Sequence, residues 1–126
     1  MFFAIPLFVK KRGIFLEFYL CLYFCVISGK PRGAVVTFAC HQDCTPGVQY
    51  SGAFSHVLSN EMKKEFGENF ITVFLAGTSG DINHVGPRLH GYMPDDIYIK
   101  MGNVLVVLYC KTLLHMLKYM QEGFYD

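Results

Sequence analysis

His41 directly follows the run Ala34-Val-Val-Thr-Phe-Ala-Cys40, and Gly77-Thr-Ser-Gly80-Asp81-Ile-Asn83-His84 directly follows Ile71-Thr-Val-Phe-Leu-Ala76. In both places a short β-branched apolar run, of the kind that fits a buried strand, ends in polar groups able to do chemistry. A histidine one residue past such a strand has a rigid backbone behind it. Neutral imidazole is a common protein ligand for zinc, whose Lewis acidity makes bound water a nucleophile near neutral pH. The same position also suits a hydrogen-bonded packing histidine, and spacing alone does not separate the two readings.

The glycine loop carries a second possibility. Backbone N–H groups of Gly77-Thr-Ser-Gly80-Asp81 could form an anion-binding nest or an oxyanion hole, or the segment could be a plain turn in which Asp81 bonds its own backbone. It is not the Gly-x-Ser-x-Gly nucleophile elbow, because Asp81 occupies the place of the last glycine, and it lacks the Gly-Lys-Ser/Thr of a Walker A loop. His84 and His90 share this loop and could approach His41, whereas His56 and His115 fall on expected helices as surface or boundary residues. Cys40-His41-Gln42-Asp43-Cys44 invites a zinc-finger reading, but no second Cys-x-x-Cys or His-x-x-x-His follows at a finger-like distance.

The elements that must position these groups are legible as pattern. Gly29-Lys-Pro31-Arg-Gly33 has turn chemistry, so a strand is expected from Ala34, covered on both faces, followed by a loop from Gln42 to Tyr50. Phe54, Val57, Leu58, Met62 and Phe66 fall at helical spacing opposite Asn60, Glu61, Lys63, Lys64 and Glu65, which predicts an amphipathic helix over 51–66 ended by Gly67. Ile71–Ala76 is the next expected strand, and residues 77–94, rich in glycine, form a long loop. Pro94-Asp95-Asp96 opens a last helix to about Gln121, with a strand over Val104–Leu108 as the competing reading. The order is that of an α/β fold: a βαβα unit with a small mostly parallel sheet, whose sites lie outside the carboxyl ends of its strands.

With 126 residues the chain is long enough for one domain and no second lobe. A net charge of +1 argues against a nucleic-acid surface. Hydrophobic residues make up 52% and charged ones 17%, a balance that points to faces covered by further protein and hence to a fragment of a larger layered domain. Five cysteines show no disulfide framework, so reduced thiols are expected. Residues 1–28 stand apart from 29–126. Lys10-Lys11-Arg12 before an apolar run reads as a signal or membrane anchor, yet Glu17 interrupts the run and its length falls short of a bilayer span; a buried strand or helix, or a misplaced start, are the other readings. A signal would make the chain secreted or membrane-associated; otherwise it is cytoplasmic.

Gly29-Lys-Pro31 followed by Ala34-Val-Val-Thr-Phe-Ala-Cys-His41, Tyr50-Ser51-Gly52-Ala53-Phe54 at a helix start, and Phe74-Leu-Ala-Gly-Thr-Ser-Gly80-Asp81-Ile-Asn83 at a strand end together resemble part of the N-terminal catalytic domain of the neutral/alkaline non-lysosomal ceramidases. These are zinc amidases that cleave the N-acyl bond of ceramide, and the divergent bacterial branch is the nearest in pattern. The resemblance implies zinc as cofactor with His41 as a ligand, a catalytic centre lined by Gly80, Asp81 and Asn83, and a small-molecule amide or lipid as substrate.

Departures from the family pattern matter. Asn83 takes the place of a serine regarded as catalytic in the ceramidases proper, Ala53 the place of an acid, and His84 the place of a proline. The family's upstream histidine motif and its downstream glutamate and tyrosine ligands have no counterpart, which implies a truncated domain lacking the remainder of its catalytic unit. Two expectations follow: a partial zinc-dependent hydrolase of sphingolipid-like N-acyl bonds, or a catalytically inactive fragment serving as a non-enzymatic, membrane-associated binding module.

Overall fold

The computed structural model describes residues 2–11, 14–25, 30–45, 47–48, 50–80, 82, 84 and 94–122, with the backbone alone described for 2–11, 14–25, 113, 115–117 and 119–122. The elements are β1 (Phe2–Lys11), β2 (Ile14–Cys25), β3 (Pro31–Phe38), α1 (Ala53–Phe66), β4 (Ile71–Ala76) and α2 (Ile97–Glu122). The succession β3-α1-β4-α2 is the expected βαβα unit, and β3 and β4 pair in parallel from Gly33↔Ile71 to Phe38↔Ala76. Strand order is β1-β2-β3-β4, with β1 and β2 joined antiparallel to each other and β2 antiparallel to β3. The apolar N-terminal segment therefore adds two strands to the sheet, the strand alternative among its readings, and the parallel pair lies at one side of a mixed sheet. Among the described residues no helix is long and apolar enough to cross a membrane.

β3 begins earlier than its turn-like residues foretell. Pro31 is the first residue of the strand, where a missing N–H is tolerated. Gly33 does not take a positive φ. A Cβ on it would instead lie 2.8 Å from the Ile71 carbonyl oxygen, so glycine is needed there for the close approach of β4.

Alternation along the parallel pair gives each face its character. Ala34 and Val36 are buried, and both helices cover that face with Phe54, Leu58, Met62, Leu105 and Tyr109. Phe54 stands edge-on to Phe38 (centroids 5.9 Å apart) and to Phe74 (5.4 Å), contacts worth about 0.5–1.5 kcal/mol each beyond burial. α1 stops at Gly67, at φ 102°, whose N–H donates to the Lys63 carbonyl at 2.7 Å. The basic pair Lys63 and Lys64 lies in that last turn, where it complements the helix dipole.

On the other face Ile71, Val73 and Leu75 are 66%, 44% and 48% exposed, and Val35 and Thr37 are half-buried. Cover on both faces, expected for the strand at Ala34, is thus found on one only. Alternation puts every second residue on the side away from the helices, and both described helices pack on the same side.

The β-prone run Val104–Leu108 is helical. Leu105 and Tyr109, four residues apart on α2, both enter the core, and the Tyr109 hydroxyl donates to the Thr37 carbonyl at 3.0 Å. Packing of one face decides what a weak strand propensity leaves open. Helix α2 comes close to α1 at Gly102, where a Cβ would meet Val57 Cβ at 2.5 Å and the Phe54 carbonyl oxygen at 3.0 Å. The variant Gly102→Ala should lose about 1–3 kcal/mol of stability through overpacking, read as a lower urea midpoint with an unchanged denaturant slope.

Candidate functional site

The parallel register delivers two loops to one place. β3 and β4 end as partners at Phe38 and Ala76, and the Gly77 N–H donates to the Phe38 carbonyl at 3.0 Å. A Cβ at Gly77 would stand 3.1 Å from the Cα, Cβ and N atoms of Ala39, so a glycine lets the two chains leave the sheet side by side.

The loop after β3 is then tied to the start of α1. The Ser55 hydroxyl lies 2.6 Å from Gln42 Oε1 and 2.8 Å from the Gly52 carbonyl oxygen. Thr45 donates to Ser51 Oγ at 3.1 Å, and that oxygen accepts the Ala53 N–H at 3.0 Å. Between these ties Cys44 is fully buried. Ala53 itself sits at φ 45°, a left-handed conformation that costs a non-glycine residue about 1–2 kcal/mol and persists because its surroundings hold it.

Within this frame the expected site residues fall out unevenly. His41 is exposed in the loop, three residues past the end of β3 rather than one, because pairing with β4 stops at Phe38. Gly80 is exposed in a turn, with open space where a Cβ would be. Neither Gly77 nor Gly80 has positive φ, so the alternating-handed backbone of an anion nest is not built on these glycines. Asp81 and Asn83 lie outside the described residues, as does His90, and the His115 side chain is likewise outside them. His56 is exposed on α1, its Nε2 3.0 Å from Asn60 Nδ2, the surface role its helical position foretells.

His84 proves better placed than its low-specificity surroundings indicate. Its side chain is only 7% exposed, and Nδ1 lies 3.6 Å from Oδ1 of Asp43, whose side chain is 79% exposed. The loops after β3 and β4 therefore meet through a carboxylate and an imidazole. Sequence reasoning passed over Asp43; the available signal was its place in a polar loop at the carboxyl end of a parallel strand.

Zinc asks for three or four donors. Among the described residues no group of three or more His, Cys, Asp or Glu side chains is arranged to hold a metal ion. Cys40 and Cys44 belong to the apolar core as reduced cysteines, and burial pushes the Cys44 thiol up, against the Phe54 N–H that bonds its sulfur. His41 with the described residues around it does not make a zinc site. A cleft of about 110 Å³ lined by Pro31, Arg32 and Phe66–Phe70 sits by the amino ends of β3 and β4; it is below the roughly 300–1,000 Å³ usual for ligand pockets.

Cys110 on α2, 3.8 Å from Met62 Sδ, has its thiol pushed up to about 11 from 9.0, first by burial and then by the charge of Glu65. The folded state holds this proton where the unfolded chain has released it, so its contribution is intact below pH 9.0 and is lost as pH rises toward about 11. Urea midpoints of the wild type should fall across that window more steeply than those of Cys110→Ala. Compared with known protein families, curated proteins and solved structures, the chain matches none of them.

Proposed function

We propose that this chain contributes a hydrolytic site of the ceramidase-like kind, acting on an N-acyl amide bond of a sphingolipid-like molecule, at the carboxyl ends of β3 and β4. The observation that carries this reading is the parallel pairing that ends at Phe38 and Ala76, because it starts the His41 loop and the Gly80 loop from neighbouring backbones at the edge where α/β sheets bind ligands. In this reading the exposed His41 imidazole faces the substrate side, and Gly80, Asp81 and Asn83 line the reacting centre. Asn83 contributes only hydrogen bonds, since its amide neither titrates nor acts as a nucleophile. Zinc, implied by the family resemblance, would need donors beyond the described residues.

The full 126-residue chain, assayed with zinc supplied, should release fatty acid from a panel of N-acyl sphingoid amides, and His41→Ala should abolish that turnover. No turnover across amides and esters removes the proposal.

The rival reading is a non-enzymatic module whose role is to bind. The exposed apolar side chains of Ile71, Val73 and Leu75 on the sheet, and of Val104, Val107 and Leu114 on α2, favour it, because surface of that kind is usually covered by a partner or a membrane. A protease-resistant fold that sediments with lipid vesicles yet turns over no substrate would select it.

A further inference from the structure

Asp43 and His84 are the pair of titratable side chains that two separate loops bring together among the described residues at the carboxyl ends of the parallel strands. Both are held. Asp43 is flanked by Gln42, bonded to Ser55, and by Cys44, packed in the core. The His84 ring is nearly enclosed, and its Nδ1 atom, 3.6 Å from Asp43 Oδ1, is shielded from solvent, so the ring's remaining exposure belongs to other atoms.

A carboxylate beside Nδ1 selects the tautomer with the proton on that nitrogen and leaves Nε2 with its lone pair. The separation is an ion-pair distance, longer than a hydrogen bond; such contacts are commonly long without substrate and shorten when it binds.

We propose that Asp43 and His84 form a carboxylate–imidazole dyad in which His84 Nε2 is the proton acceptor of the hydrolytic site and Asp43 is its positioning residue, an inference that rests on the hydrolase reading above. His84 Nε2 takes a proton from water as the water oxygen bonds to the amide carbonyl carbon. The imidazolium then faces the Asp43 carboxylate, which balances its charge. As the C–N bond breaks, the same proton passes to the leaving amine nitrogen, which returns His84 to its neutral form and releases a carboxylic acid and an amine. His84 thus supplies proton transfer from residues that the family pattern does not use for it.

The test separates this dyad from the reading it rests on. Long-range nitrogen–proton correlation spectra of the full chain near neutral pH should show His84 as the Nδ1–H tautomer, and the isosteric Asp43→Asn should shift it toward Nε2–H. An Nε2–H tautomer in the wild type, or a tautomer unmoved in Asp43→Asn, overturns the dyad whatever the activity. With an N-acyl amide substrate, Asp43→Asn should lower kcat about 10- to 100-fold with little change in KM, and His84→Gln should lower it further. Undiminished turnover in a folded His84→Gln overturns the proton-acceptor role while the hydrolase reading stands. Absence of turnover in the wild type overturns the hydrolytic role, and the tautomer then decides the dyad alone.

Discussion

The in-register parallel pairing of Gly33–Phe38 with Ile71–Ala76 is the constraint on which the remainder rests. Strand side chains alternate with a period of two, so this register puts Ala34, Val36, Phe38 and Phe74 on the side where Phe54 packs and leaves Ile71, Val73 and Leu75 on the other. Slippage by one residue would exchange the two sets and empty the core. Parallel strands also need a crossover between them, and α1 supplies it while covering the face it crosses.

Closeness at the strand ends is obtained by removing side chains and by tolerating local strain. Gly33 admits β4 at the start of the pair and Gly77 lets the chains part beside Ala39 at its end. Where the loop after β3 turns into α1, Ala53 is held at positive φ by hydrogen bonds that converge on Ser51 and Ser55. A loop so tightly stitched presents Asp43 from a firm base, while His84 arrives from the next strand already mostly enclosed. Chemistry based on a fixed carboxylate and imidazole asks for this kind of support, since proton transfer depends on small distances and a defined tautomer. The exposed His41 has less of it.

The surface conveys a different message. β4 lies at the end of the strand order, carries no charged residue, and shows apolar side chains to solvent on the face away from the helices. An edge strand of this character lacks the usual defences against pairing with another chain. Its exposure also accounts for the hydrophobic content of the sequence: there is more apolar surface here than two helices on one face can cover.

Much of this architecture was readable in the residues. Spacing of Phe54, Leu58 and Met62 located α1 and its buried side, Gly67 with Lys63 and Lys64 marked its end, and Ile71–Ala76 was apparent as a strand from a short β-branched apolar run that stops at Gly77. Local pattern misjudged Pro31 and Gly33, whose turn chemistry gave way to the approach of Ile71, and left Val104–Leu108 open between strand and helix until Leu105 and Tyr109 found the core. Of the site, sequence by itself determined that polar groups follow two apolar strands. Tertiary structure alone decided that Asp43 and His84 meet and that His41 stands exposed, because a contact between two loops depends on strand register and chain direction, which no local window of residues contains.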